Sequence, residues 1–96
     1  MKLRTYLARN AGDILATLRS ALVKDHSHLP KSILDKTLCK LDAAALHLAR
    51  LNPAKIKHPG TLEHRADLDC LHTLIFCASS LDCTELYNKL LHHLRD

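Results

Sequence analysis

Apolar residues recur along the first half of the chain at intervals of three and four, the period of a helix that buries one face. In the first segment they are Leu7, Ala11, Ile14, Leu18 and Ala21. The second segment repeats the spacing at Leu34, Leu38, Leu41, Ala45 and Leu48. The pattern predicts helices over about residues 3–24 and 30–51. The second begins near Pro30, which suits a first helical turn, and the alternative start is a capping pair of Ser32 with Asp35.

The second half begins with a predicted loop, because residues 52–60 hold two of the three Pro and one of the two Gly. Two further helices are predicted over about residues 61–79 and 82–95, with Thr61 and Asp82 as their N-caps. Their apolar positions are Leu68, Leu71, Ile75 and Ala78, then Leu86, Leu90 and Leu94. Neither Pro nor Gly separates the two segments, so one long helix from Thr61 is the alternative.

The fold class that follows is all-α: a small antiparallel four-helix bundle in a single domain, residues 1–96. Composition agrees, since the chain has 21 Leu and 11 Ala but only one Val and three aromatic residues, too few for a β-sandwich or barrel. No run is apolar enough for a secretion signal or a membrane span. We therefore expect a cytoplasmic protein with reduced thiols and no membrane partner.

Two features of the sequence are not required for the packing of a single four-helix bundle. Phe76 falls about 140° from Leu71 around its helix, away from the apolar stripe. Ala8, Gly12 and Ala16 form a ridge of small residues on the first helix. Both predict contact with a second copy or another partner, giving a homo-oligomer. The alternatives are one exposed Phe and a tolerated surface Gly.

Charge is divided unevenly along the chain. Residues 1–57 hold 11 Lys and Arg against 4 Asp and Glu, a net +7, whereas residues 58–96 hold 3 against 6, a net −3. The basic side chains of the second helix share one side: Lys36, Lys40, His47 and Arg50. This basic ridge is a candidate site for DNA, RNA or an acidic protein, because phosphate binding needs cations on one face. The alternative is an ordinary solvated face.

Catalytic chemistry is not indicated, because no Ser-His-acid, phosphate-loop or zinc-protease pattern is present. The Cys residues lack zinc-ribbon spacing and are expected to be small buried hydrophobes. We therefore expect no cofactor and no metal site. The leading hypothesis is a non-enzymatic regulatory or accessory protein that binds an anionic partner through its first two helices. A pure protein-interaction adaptor is one alternative.

A second alternative comes from the segment after His72. It resembles the histidine phosphotransfer domains, helical bundles that expose a phosphorylatable His. The matching positions are Leu74, Cys77, Ala78, Leu81, Cys83 and Leu86. The segment departs from the family at Ile75 and Phe76, where the family has Lys and Gly. The resemblance implies a degenerate phosphotransfer module with His72 as the phosphate acceptor.

Overall fold

The computed structural model describes residues 3–24 and 29–94, and four α-helices account for most of them. The helices are α1 (Leu3–Leu22), α2 (Lys31–Ala49), α3 (Thr61–Ser80) and α4 (Thr84–Leu94). They pack into an elongated bundle of 42 × 21 × 21 Å. The predicted four-helix fold is confirmed, and a single helix from Thr61 onward is wrong because the chain turns at residues 81–83. The predicted end at residue 95 lies outside the described residues.

α3 is the central helix, because its contacts with α2 and with α4 are the two most extensive between helices of the bundle. Its contact with α2 is the most extensive, and small side chains make it close. The Cys70 thiol lies 3.9 Å from the Ala44 carbonyl oxygen, and the Cys77 thiol lies 3.7 Å from that of Thr37. Both thiols donate to these carbonyls. Small facing residues therefore let the two backbones approach.

Most of the core comes from the predicted stripes, with two corrections: Leu38, predicted on the stripe of α2, is exposed, and Leu74, outside the predicted stripe of α3, is fully buried. Its largest fully buried apolar side chains are Leu7, Ile14, Leu18, Leu71, Leu74 and Leu90. Complete burial of such a side chain contributes about 1.5–3 kcal/mol relative to exposure, so these contacts hold the bundle together. No helix in the described ranges is long and apolar enough to cross a bilayer.

The turn between α3 and α4 centres on Asp82, whose φ of 58° is left-handed. The Cys83 N–H donates to the Ala78 carbonyl at 2.9 Å and the Asp82 N–H to the Ser79 carbonyl at 3.3 Å. These two hydrogen bonds form a Schellman motif at the C-terminus of α3. Asp82 has the left-handed conformation of this motif, which Asp adopts more readily than most residues. Asp82 was predicted as the N-cap of α4, but α4 begins two residues later.

The connection between α2 and α3 folds back toward α1. The Asn52 side-chain oxygen accepts the Ala54 N–H at 2.9 Å, and its carbonyl accepts the Lys55 N–H at 3.0 Å. Before α3 the Gly60 N–H donates to Glu63 Oε1 at 3.2 Å. Thr61, the predicted N-cap, is the first helical residue instead. These turns bring the connection against the N-terminal part of α1.

Candidate anion-binding site

A charged residue lies inside the bundle where the apolar stripe of α3 would place a leucine. Asp67 is four residues before Leu71 and is fully buried. A buried carboxylate is costly unless it is hydrogen-bonded and paired with positive charge. Two helices supply those partners, Arg4 from α1 and His47 from α2.

The hydrogen bonds around Asp67 occupy both of its oxygens. Arg4 Nε donates to Oδ2 at 2.9 Å and Arg4 Nη2 to Oδ1 at 3.2 Å, a bidentate pair. His47 Nε2 lies 2.7 Å from the same Oδ1, and because a carboxylate oxygen only accepts, Nε2 carries the proton. Arg4 Nη1 also donates to Glu63 Oε2 at 3.0 Å. We call Arg4, His47, Glu63 and Asp67 the polar node.

The polar node fixes the position and the charge of Arg4. The hydrogen bond with Asp67 raises the pKa of the guanidinium, and the two carboxylate charges raise it further against the opposing effect of burial. Its plane is set by three hydrogen bonds to two residues. Arg4 is therefore a permanently charged group in one orientation.

Arg4 also lines a small cleft of about 100 Å³ between α1, the end of α2 and the following loop. We call this the basic cleft, and its lining residues are Arg4, Ala8, Arg50, Leu51, Asn52, Lys55, Ile56 and Lys57. Four of these side chains are cationic, whereas two carboxylates, Glu63 and Asp67, pair with Arg4. The region therefore has an excess of two positive charges.

The structure divides the predicted basic ridge into three parts. Arg50 lines the basic cleft, and His47 belongs to the polar node. The Nζ atoms of Lys36 and Lys40 lie 5.3 and 5.2 Å from the ring centroid of Phe76. Cation–π contacts of this kind are worth about 0.5–1 kcal/mol at exposed sites. The ridge residues share α2 but meet different neighbours.

The residues predicted to contact a second subunit also lie in different environments. Phe76 is half-buried against the core, beside the two lysines. Ala8 is buried and lines the basic cleft, whereas Gly12 and Ala16 are exposed. A Cβ added at Gly12 would meet no atom within 4 Å. The close approach proposed for Gly12 does not occur within the described chain, and contact with another copy stays a prediction.

The remaining candidates for chemistry are the thiols and His72. His72 is exposed on α3. The expectation that the Cys residues are buried holds for Cys70 and Cys77 but is wrong for Cys39, which is exposed on α2, and Cys83 is only partly buried. Burial raises the pKa of Cys70 to about 12 and that of Cys77 to about 11, so neither thiol is a ready nucleophile. Within residues 3–24 and 29–94, no three His, Cys, Asp or Glu side chains are grouped to hold a metal ion.

Sequence reasoning missed the polar node and three of the four cations of the basic cleft, Arg4, Lys55 and Lys57. The burial of Asp67 was predictable from the sequence, because a charged residue on an apolar stripe indicates a buried ion pair. Lys55 and Lys57 lie in a loop, where no periodicity points to them.

No protein-family model matches the chain, and the searches of curated proteins and of solved structures likewise found no match. The functional inference therefore depends on the geometry of the polar node and the basic cleft.

Proposed function

We propose that this protein is a small non-enzymatic accessory factor that binds nucleic acid at its basic cleft and along α2, and that it acts as a homo-oligomer. The observation that carries the proposal is the convergence of Arg4, Arg50, Lys55 and Lys57 on one cleft. An ordinary solvated face gives no reason for cations from three segments to line one cavity. Phosphates bound there would release condensed counterions, the main source of affinity for nucleic acid.

Lys36 and Lys40 extend this positive surface along the bundle. Fourteen residues separate Lys36 from Arg50, about 21 Å along a helix. At about 3.4 Å of axial rise per phosphate of one strand, that distance spans about six phosphates. The two lysines flank Phe76, whose aromatic ring adds an apolar surface of the kind on which bases stack. A strand following α2 would therefore meet cations at both ends of its path.

Salt dependence tests the proposal. Fluorescence anisotropy with a labelled oligonucleotide should give an affinity that falls as salt rises, with a log–log slope of about −0.7 to −0.9 per contacted phosphate. The triple variant Arg50→Ala, Lys55→Ala, Lys57→Ala should weaken binding and flatten this slope.

The matched control is Arg9→Ala, Arg19→Ala, Lys24→Ala, which removes the same three charges from exposed positions on or just beyond α1. It should retain most of the affinity. Equal losses in the two triple variants would mean diffuse attraction and would contradict a site at the cleft. Binding of an acidic protein with no binding of any oligonucleotide would reject nucleic acid as the partner.

Exposed apolar side chains support self-association, which is the second part of the proposal. Leu38 is 46% exposed and Leu46 is 65% exposed, both on α2. Sedimentation velocity should detect an oligomer, and Leu46→Asp should shift it toward monomer. Phe76→Asp is measured beside Leu46→Asp. Phe76 is half-buried against the core of its own chain, whereas Leu46 is mostly exposed. A monomer at all concentrations would contradict this part and leave nucleic-acid binding untouched.

A phosphotransfer role is the second candidate, favoured by the exposure of His72 near the middle of α3. An exposed imidazole can meet a phosphodonor, although Phe76 lies one turn further along the helix. Incubation with acetyl phosphate should give an acid-labile phosphate that His72→Gln abolishes and His92→Gln retains. Equal labelling of both variants, or none in the parent, would exclude this role.

A further inference from the structure

The basic cleft is small, and its size limits what can enter it. We infer that it holds the terminal phosphate of a nucleic-acid strand, a phosphate monoester; this inference rests on the proposed function. The cleft volume, about 100 Å³, is well below the roughly 300–1,000 Å³ of pockets that hold drug-sized ligands. It suits one phosphoryl group without the two sugars that flank an internal phosphate.

Charge favours the monoester over the diester. A phosphate monoester carries about −1.5 to −2 at pH 7, whereas each internal phosphate of a strand carries −1. The cleft has four cations, and the carboxylates of Glu63 and Asp67 offset two of their charges. An excess of two positive charges remains. The terminal phosphate therefore matches the charge of the site.

The polar node holds Arg4 in one orientation and leaves some of its N–H groups to donate to an oxyanion. Its guanidinium has five N–H donors, and the polar node uses one on each nitrogen. The other two, on Nη1 and Nη2, have no partner among residues 3–24 and 29–94. Because Asp67 and Glu63 already fix the side chain, binding a phosphate there costs little further side-chain entropy. Planar guanidinium donors also match the geometry of phosphate oxygens.

The rest of the cleft supplies donors of a different kind. Lys55 and Lys57 come from the loop, and each ammonium can turn toward the oxygens that Arg4 does not reach. Asn52 uses its side-chain oxygen to accept the Ala54 N–H, which leaves its amide NH₂ group as a donor. Ala8 and Ile56 are the apolar side chains beside these donors in the lining of the cleft.

The test compares oligonucleotides of identical sequence that end in a phosphate or in a hydroxyl. Two pairs are needed, one differing at the 5′ end and one at the 3′ end, each with fluorescein on the opposite end. In anisotropy titrations one phosphorylated form should bind at least about tenfold more tightly than its hydroxyl partner, as expected for charge-assisted hydrogen bonds. Lys55→Gln with Lys57→Gln should reduce this ratio toward one, without touching the polar node.

Lys36→Ala with Lys40→Ala is the matched control, since it removes the same charge outside the cleft. It should weaken both forms and leave their ratio unchanged. Equal affinity of phosphate and hydroxyl ends would overturn the terminal-phosphate inference while the proposed function stands. Absence of binding by every oligonucleotide would overturn both. If adenosine monophosphate or inorganic phosphate bound as tightly as the phosphorylated strand, the occupant would be a free phosphate, which also contradicts a strand end.

Discussion

The two ends of the bundle differ in the side chains that they bury. At the basic end, the first turns of α1 and α3 meet the last turns of α2 around the fully buried Asp67. At the opposite end, the C-terminal parts of α1 and α3 bury apolar side chains, with Leu18, Leu74 and Cys77 almost wholly inaccessible. The basic end also buries apolar side chains such as Leu7 and Leu71, but among the described residues the buried carboxylate lies at this end alone.

Stability and specificity have different sources in so small a bundle. Apolar burial stabilises the fold roughly in proportion to area and needs no particular orientation. A buried ion pair adds little net stability, because desolvation offsets the attraction between the charges, but it demands one arrangement of its partners. The polar node therefore fixes the orientation of Arg4 and the register of three helices, while the apolar core along the bundle holds it together.

The largest effect is expected for truncation at the apolar end. Leu74→Ala should lower the free energy of unfolding by about 2–5 kcal/mol, because it leaves a cavity in the core. Urea denaturation followed by circular dichroism measures the loss. Leu62→Ala on the same helix is the control; its side chain is 81% exposed, so the change should stay within about 0.5 kcal/mol. Similar losses for both would contradict the assignment of the core.

The next effect concerns the polar end. Asp67→Ala should destabilise the protein by about 2–3 kcal/mol, less than for a wholly buried pair because Arg4 and His47 keep some exposure. Asp69→Ala removes the same charge from an exposed site two residues along and should be close to neutral. Asp67→Ala should also weaken phosphate binding, since Arg4 loses its fixed orientation. Unchanged stability and binding would remove the polar node from the account.

A smaller effect appears in alkaline solution. Burial raises the pKa of Cys70 and Cys77 above the ordinary value of 9.0, so the folded state keeps protons that the unfolded chain releases. Below pH 9 both thiols are protonated in either state, and their stabilising contribution is complete. It is lost as the pH rises toward 11 and 12, and at pH 10 the loss in the free energy of unfolding is about 1 kcal/mol per thiol. Unfolding measured at pH 8 and 10 should show a smaller loss in Cys77→Ala than in Cys39→Ala, whose thiol is exposed. Identical losses would contradict the buried environment of Cys77.

The smallest effect is a gain at the turn after α3. Asp82→Gly should raise the free energy of unfolding by about 0.5–1 kcal/mol, because glycine adopts a positive φ without steric cost. Thermal unfolding should show a higher midpoint. Asp82→Val should lower the midpoint, since a β-branched residue is strained at a positive φ. A fall in both variants would show that the Asp82 side chain matters more than its backbone conformation.

The helices were predictable from sequence because each stripe is a local property, and most stripe residues pack in the core, although Leu38 is exposed. The polar node was not predictable in the same way. A helical wheel treats each helix alone, so His47 fell among the basic residues of α2, although its partner is 20 residues away on α3. Phe76 lay outside the stripe of α3, but a helix packed on three sides has no single buried face.

The most direct test of the basic end is an amide chemical-shift titration. A ¹⁵N-labelled sample titrated with a short oligonucleotide, phosphorylated at the end that binds more tightly, should show its largest shifts at residues 50–57 and in the first turns of α1, with smaller shifts near Lys36 and Lys40. Residues 14–22 and 81–86, at the apolar end, should not move. Shifts concentrated at those apolar-end residues, or spread evenly over the bundle, would contradict a binding site at the basic cleft.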